Sequence, residues 1–482
     1  MINRLIDKYK RISLVAKATI WFTITNILQK GLLFLSTPIY TRLMSPSEYG
    51  RYSIILSWLE IFEIIATFRI GWGGYVVGLT KFKDDRDRYT SSMQMLSIII
   101  TSAFLFIYVI SRDVVNTMTN LDTRTTLVIF GIIYALPAIQ FWLVRGRVEY
   151  KYIKVFILAT LSSVIVISAG TIAAVISGTK DFAVVFARFV VQGSFAIYLI
   201  WANCHKRFTV YHKDYWKRAL SFNVPLLPYY LSMVILHSSD RIIIGNLCGT
   251  SFAAIYSAAY TLSSCMQIFN QSFTQTIQPL MYKSMREENV EKIPSIISAS
   301  LSIIIGLNCL LVLVAPELIR IVAPSEYADA IWIIPPLCAS VVVMYIYQQF
   351  VNVEFYFEES RLIAIASIGA ACLNVYLNYM FIPIYGYFAA GYTTLASYMI
   401  FAACHYCFMK IVVKKNNYSE KLVPVKNMIL LLVIYTAVTA VAAIGYEFCI
   451  IRVALVLAIL IVGFCFRSGV IGMFSELVHI KK

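Results

Sequence analysis

The sequence predicts an all-α integral membrane protein of about 14 transmembrane helices, in two six-helix lobes forming a parallel pseudo-repeat plus two C-terminal helices. Three observations predict it. The 482 residues are 60% hydrophobic and only 14% charged, with a mean hydropathy of +0.75. A soluble chain carries about a quarter charged residues, and repeated apolar runs of about 18 residues or more read as membrane spans. Lysine and arginine then collect in alternate loops between those runs. Finally, a short stretch near the N-terminus recurs six helices later.

The helices are expected at 13–40, 50–79, 90–111, 124–144, 154–177, 181–204, 221–246, 251–281, 293–315, 328–357, 361–382, 386–412, 428–446 and 449–466. The first run is too long for a signal peptide and lacks a small-residue cleavage site, so it reads as a span. One set of alternate loops holds Arg4, Lys8, Lys10 and Arg11, then KFKDDRDR at 81–88, RGRVEYKYIK at 145–154 and HKRFTVYHKDYWKR at 205–218. The 281–292 loop and KKNNYSEK at 414–421 follow on the same side. The other set holds little beyond Arg42, Arg51, Arg112, Arg124, Lys180, Arg320 and Arg452. The positive-inside rule therefore places both termini in the cytoplasm. The longest outer loop, after the ninth helix, is about a dozen residues, close to an ordinary connection.

These spans divide the chain into an N-lobe at 1–204, a cytoplasmic linker at 205–220, a C-lobe at 221–413 and a last pair of helices with a tail at 414–482. The recurring stretch is LMSPSEYGRYS from Leu43 and LCGTSFAAIYS from Leu247. At one offset Leu43 matches Leu247, Ser47 matches Ser251, Tyr52 matches Tyr256 and Ser53 matches Ser257. Phe182-Ala183 and Phe388-Ala389 echo each other at nearly the same offset. Six helices is an even number, so the repeat units share one orientation in the membrane. Within the first stretch Ser45 suits an N-cap, Pro46 the first helical position and Glu48 a capping box. A second PSEY, Pro324 to Tyr327, reads as a further helix start.

The net charge of +16 is no nucleic-acid footprint, because the basic residues sit in short loops between apolar runs. The ten cysteines are scattered, and Cys404 and Cys407, a lone C-x-x-C inside a span, read as buried small hydrophobes. His237 and His405 lie within spans and have no metal partner at ligand spacing.

Three helices carry polar residues at steps of three and four, which keeps each set on one face. They are Thr19, Thr23, Asn26 and Lys30; Ser263, Gln267, Asn270, Gln271, Gln275 and Gln278; and Tyr345, Gln348, Gln349, Asn352 and Tyr356. Interhelical hydrogen bonds, worth about 0.6 kcal/mol each, need only one or two such groups per helix. Stripes of this length fit a hydrated chamber better. Lys30 and Glu60 each lie ten residues from the outer end of their helix. A central lysine costs about 2.5–3.5 kcal/mol, and an opposite charge at about 4 Å returns roughly 4 kcal/mol at an effective dielectric of about 20. Glu60 and a ligand phosphate would compensate Lys30 equally well. Glu63 lies one turn deeper. Arg69 precedes Gly71 to Gly74, a cluster able to break the helix and turn a cation inward. Arg188 and Asp240 lie about seven residues below the outer surface. Asp240 and Arg241 point about 100° apart on a helix. Arg241 is near enough to the surface to snorkel, so Asp240 needs its own partner: a proton, a cation or a base.

Three stretches together resemble the polysaccharide transporter family of the multidrug/oligosaccharidyl-lipid/polysaccharide flippase superfamily. They are TRLMSPSEYGRYS at 41–53, SDRIIIGNLCGTSFAAIYSAAYTLSS at 239–264 and NVYLNYMFIPIYGYFAAGYTTLASY at 374–398. The resemblance implies two six-helix lobes facing a cavity. It implies transfer of a polyprenyl-diphosphate-linked oligosaccharide, for capsule or the O-antigen of lipopolysaccharide, across the bacterial plasma membrane by alternating access, with other polysaccharide-assembly membrane proteins as partners. Arginines on the first two helices of related flippases meet the diphosphate; Lys30 and Arg69 stand nearest to them here. With Arg188, Asn26, Gln267, Asn270, Gln271, Gln349 and Asn352 they form the expected substrate set. The resemblance also implies a coupling-cation site, for Na+ or H+, at Asp240, Asn374, Asn378 and Thr394, with Asn378 neutral where an acid can occur. No other metal and no cofactor are expected.

Two rivals differ in kind. A multidrug or organic-cation antiporter wants acids and few bases in its chamber, whereas Lys30, Arg69 and Arg188 favour an anion, although Glu60 and Glu63 blur the contrast. A membrane glycan polymerase or ligase usually needs a long outer loop bearing catalytic residues, which this chain lacks. Long polar stripes also argue against a purely structural membrane protein.

Overall fold

The computed structural model describes residues 13–287, 290–418 and 422–465. Its regular elements are helical throughout the described residues, and eleven helices are long and apolar enough to cross a membrane. Every one of the fourteen expected segments is occupied by helix, several of them broken. The stretches 50–79 and 251–281 carry polar and charged side chains that keep them below the hydropathy of the other spans. The chain divides into two compact units, Met1–Ser238 and Ser239–Lys482. The basic residues Arg4, Lys8, Lys10 and Arg11 lie outside the described residues, as do 419–421 of KKNNYSEK and the tail from 466.

In the first unit α1 (Leu14–Leu43) is followed by α2 (Pro46–Thr67) and the short α3 (Gly73–Lys81). The junction of α1 and α2 is the predicted capping box. Pro46 opens α2, Ser45 Oγ accepts from the Glu48 N–H at 3.3 Å, and Glu48 Oε2 accepts from the Ser45 N–H at 2.8 Å. Four longer helices follow: α4 (Arg86–Thr119), α5 (Thr123–Val148), α6 (Tyr152–Ile176) and α7 (Lys180–Cys204). α5 packs on α7, α7 on α6, and α6 on α1. Ile55, Leu59, Ile129, Ile132, Ile133 and Val185 form one apolar core here. Asn203 ties three helices together, donating to Gln94 Oε1 at 3.2 Å and to the Ala138 carbonyl at 3.1 Å. Part of the expected 205–220 linker is helical: α8 (Lys213–Asn223) runs through a 3₁₀ turn at Val224–Leu226 into α9 (Leu227–Leu247). The boundary between the two units falls inside α9.

In the second unit the expected 251–281 helix is two helices, α10 (Thr250–Ser264) and α11 (Met266–Arg286), which meet at Cys265. There the N–H groups of Cys265 and Ile268 bond three residues back, to Leu262 and Cys265, which tightens the turn without a proline. α12 (Ile293–Leu313) follows. The expected outer loop is structured, as the short α13 (Ala315–Val322) and a 3₁₀ segment at Ser325–Trp332 that starts at the second PSEY. α14 (Ile334–Tyr356) is the axis of the unit and is largely buried, whereas little of α6 is. It packs along α16 (Ala389–Lys415), which also holds α15 (Ser360–Tyr385). α17 (Val425–Ile444) and α18 (Cys449–Cys465) complete the described chain.

Outward faces are apolar, as lipid contact requires. Ile176, Ile197, Ile444 and Ile450 are each at least 75% exposed. Cys404 and Cys407 share such a face of α16 and are exposed, not buried as expected. A thiol is apolar enough to meet lipid, so burial was not required of it.

Candidate functional site

In the second unit, Asp240 on α9 is completely buried. Asn378 Nδ2 on α15 donates to its Oδ1 at 2.6 Å, and Thr394 Oγ1 on α16 donates to its Oδ2 at 2.8 Å. Tyr256 Oη on α10 makes a third, short bond to Oδ2. Asn374, one turn before Asn378, donates to Thr394 Oγ1 at 3.2 Å and accepts from Ser239 Oγ and Asn378 Nδ2, both at 3.3 Å. Thr393 donates to Asn378 Oδ1. The structure thus brings Asp240, Asn374, Asn378 and Thr394 into one cluster, and adds Tyr256, Thr393 and Ser239. Four helices supply it, so their relative positions are held through one buried carboxylate.

The chemistry of this cluster fits a monovalent cation. One carboxylate, two amide carbonyls and several hydroxyls form an all-oxygen set with a single negative charge, which matches a small hard ion. Among the described residues, no group of three or more His, Cys, Asp or Glu side chains is placed to hold a metal ion. Asn378 presents its NH2 to Asp240 and its carbonyl to Thr393; turning that amide would exchange a donor for a cation ligand. Arg241, next to Asp240, is half-buried. Its guanidinium lies 4.4 Å from the centre of the Tyr260 ring, and its Nε is buried without a hydrogen-bond partner.

In the first unit the helix expected at 50–79 breaks at Phe68 and Arg69, just ahead of the glycines. Both have left-handed backbones, with φ of 49° and 48°, each costing about 1–3 kcal/mol for a residue with a side chain. Thr67 makes the break possible, because its Oγ1 accepts from the Arg69 N–H at 3.1 Å in place of a helical carbonyl. The glycines then allow close packing: a Cβ at Gly74 would stand 2.7 Å from Asn223 Nδ2. Arg69 emerges between two rings, 4.5 Å from Trp72 and 5.4 Å from Tyr230. Its Nη2 is 3.8 Å from Glu63 Oε2, and its Nε is buried without a hydrogen-bond partner. A small pocket here is lined by Glu63, Thr67, Arg69, Trp72, Ser97 and Gln140.

The other expected substrate residues scatter. Lys30 is half-buried on α1. Glu60 accepts from Ser238 Oγ at 2.6 Å. Arg188, half-buried on α7, donates from Nε to Gln192 Oε1 at 3.3 Å. Thr19, Thr23 and Asn26 form an exposed polar face of α1, and Gln267 and Gln271 remain partly or fully exposed on α11. Asn270, Gln349 and Asn352, however, are buried and line no open water. Asn270 Nδ2 donates to the Val341 carbonyl at 2.6 Å and ties α11 to α14, while Gln349 Nε2 donates back to Tyr345 O at 3.2 Å. Along α14 the polar stripe is an internal seam.

Residues 15–285 match the family model described as "Polysaccharide biosynthesis protein". The chain is similar to the "Probable low-salt glycan biosynthesis flippase Agl15" of Haloferax volcanii, 23% identical over 415 residues, which span 84% of this chain and 86% of that one. Among solved structures it is similar to "Lipid II flippase MurJ" in an inward closed conformation, with a TM-score of 0.65 and 12% identity over 94% of this chain and 100% of the other. It is also similar to an inward-facing multidrug resistance MATE family transporter of the MOP superfamily, with a TM-score of 0.61 and 15% identity over 80% of this chain and 95% of the other. These structural likenesses show a common fold.

Proposed function

We infer from the polysaccharide biosynthesis protein family, to which the chain belongs, that it is a flippase carrying a polyprenyl-diphosphate-linked oligosaccharide across the bilayer by alternating access. A relative named a glycan biosynthesis flippase, aligned over most of both chains, and a fold in common with a lipid II flippase support this reading. The observation that carries it is Arg69. A diphosphate cannot enter hydrocarbon without a counter-charge, and a guanidinium binds phosphate oxygens through paired, charge-assisted hydrogen bonds. At 3.8 Å Glu63 is a loose counter-ion for Arg69, well beyond the 2.7–2.9 Å of a full charge-assisted bond. A phosphate that meets Arg69 more closely displaces it. The exposed polar face of α1 around Asn26 offers hydroxyl and amide groups to a sugar, and the polyprenyl tail stays in the lipid.

The cycle is coupled to a monovalent cation held by the oxygens of Asp240, Asn374, Asn378 and Thr394. The cation supplies a charge that the buried Asp240 carboxylate binds in preference to its neutral donors. The basic loops face the cytoplasm, and both termini lie there.

Reconstitution tests the reading. Purified protein in liposomes, with a fluorescent polyprenyl-diphosphate oligosaccharide, is expected to exchange the lipid between leaflets under an imposed sodium gradient. Arg69→Gln should lower the rate about tenfold or more while yield and elution profile stay unchanged. Transport of an organic-cation dye without lipid exchange would replace the flippase with the drug antiporter.

A further inference from the structure

The second unit contains a second pair of ionisable side chains, which the flippase reading does not use. Glu354 lies two residues before the end of α14, and His405 lies in α16. Both side chains are completely enclosed. His405 Nδ1 is 2.8 Å and 3.1 Å from the two carboxylate oxygens of Glu354. Its other ring nitrogen, Nε2, is buried and has no hydrogen-bond partner. Aromatic rings wall the imidazole: Tyr347 stacks on it at 5.8 Å between centres, Phe401 meets it edge-on at 4.5 Å, and Phe408 stands at 6.4 Å.

Charge balance decides what such a pair holds. A lone carboxylate enclosed in protein costs several kcal/mol even after relaxation. A second proton on the imidazole makes the pair neutral, but Nε2 then carries a hydrogen with no acceptor, at about 1–3 kcal/mol. With Nε2 bare, the Nδ1 hydrogen still bonds Glu354, and the pair keeps one negative charge. Each state contains one unfavourable feature, and neither is locked in.

Among the described residues, the titratable groups on the helices around the pair are engaged with partners of their own. His405 is the ion-pairing partner of Glu354 when its ring is protonated. Tyr347 of α14 stacks in turn on Tyr398 of α16. Tyr345 of α14 bonds Ser300 of α12, and Tyr356 meets Tyr282 of α11. Asp240 and Tyr256 of α9 and α10 bond each other within the cluster described above. On α16, Lys410 lies over the Tyr406 ring, and Lys415 pairs with Glu359 at an exposed position.

We propose that Glu354 and His405 form a proton-binding site, filled and emptied through Nε2 of His405 and separate from the Asp240 cluster. In loading, a hydronium ion transfers its proton to the Nε2 lone pair and leaves as water. In unloading, the N–H bond breaks, its electron pair stays on nitrogen, and water takes the proton. The Nδ1 hydrogen bond to Glu354 persists through both steps, so the pair alternates between no net charge and one negative charge. This site goes beyond the flippase reading and stands or falls independently of it.

The test is nitrogen NMR of the purified full chain labelled with ¹⁵N-histidine, titrated from about pH 5 to about pH 9, the range in which imidazoles exchange protons. The His405 signals are those missing from His405→Gln. Nε2 is expected to pass from protonated to bare while Nδ1 stays protonated throughout. Glu354→Gln should lower the proton affinity of His405 about tenfold or more, since the carboxylate partner is gone. A His405 signal fixed in one form at every pH overturns the proposal, and so does an unchanged midpoint in Glu354→Gln. Should Glu354→Gln fail to fold, Glu354→Asp shortens the carboxylate by one methylene: a fall in affinity supports the site, and an unaltered midpoint overturns it.

Discussion

Adjacent residues on a helix point about 100° apart, and Asp240 and Arg241 use that divergence to enter different surroundings. Asp240 turns into a cluster of hydroxyls and amides, and Arg241 lies over Tyr260. The charge of Asp240 and the need for a partner were legible in the sequence; Asn374, Asn378 and Thr394 came through resemblance. Tyr256, Thr393 and Ser239 were missed for a physical reason. A helical hydroxyl commonly bonds the carbonyl four residues back, as Ser53 and Ser257 do here, so its type does not reveal when it reaches across helices. Glu354 was a readable signal, an acid inside an apolar run. His405 was judged by metal-ligand spacing, whereas its partner lies 51 residues away. The cation site makes a prediction that needs no transport assay. Sodium should raise the Tm of the detergent-solubilised protein relative to choline, by mass action on a folded-state site, equivalent to about 2.7 kcal/mol at a hundred times Kd. Asp240→Asn should abolish that difference. An equal sodium shift in Asp240→Asn, measured by tryptophan fluorescence on heating, would rule the site out.

Helix positions were readable from apolar runs, and helix breaks mostly were not. The junction at Ser45, Pro46 and Glu48 carries its capping chemistry in the sequence and forms as expected. The bend at Phe68 and Arg69 was signalled by the glycines at 71, 73 and 74, although the bond from the Arg69 N–H to Thr67 Oγ1 that supports it was not, and the division at Cys265 rests on backbone bonds alone and has no residue signature. The polar stripe of α14 misled because periodicity reports a face and not what covers it; α11 and α16 cover it here. Close helix approach gives a second prediction. A Cβ at Gly78 of α3 would lie 2.1 Å from Tyr89 Oη and 2.2 Å from Cζ. Tyr89 cannot retreat, because it stacks on Tyr75 at 5.5 Å and meets Phe82 at 5.3 Å and Tyr215 edge-on at 5.3 Å. Gly78→Ala should therefore cost about 1–3 kcal/mol. Gly31→Ala, with nothing within 4 Å of the new methyl, should be neutral or stabilising by up to about 1 kcal/mol. Thermal melts of the two variants that coincide would contradict this account of the α3–α4 contact.

At the scale of the whole chain, the internal repeat has a structural counterpart. α1 ends at Leu43 and α9 at Leu247, while α2 starts at Pro46 and α10 at Thr250. Helix ends therefore recur at the offset of the matching residues, although one start uses a capping box and the other follows Gly249 at φ 112°. The same local geometry is reached by different chemistry, which is why only a few identities survive between the copies. The charge of the loops supplies the remaining information, since lysine and arginine resist translocation and stay on the cytoplasmic side. That argument makes a prediction about the membrane as a whole. Arg207 lies in the basic stretch at 205–218 and Glu326 in the 3₁₀ segment after α13; both are exposed. Cysteine placed at 326 should react with a membrane-impermeant maleimide in intact cells. Cysteine placed at 207 should react only after the membrane is opened. Mass spectrometry of each modified peptide separates these sites from the ten native cysteines. Labelling at 207 but not at 326 in intact cells would invert the orientation, put both termini outside, and leave the basic loops on the side from which the positive-inside rule excludes them.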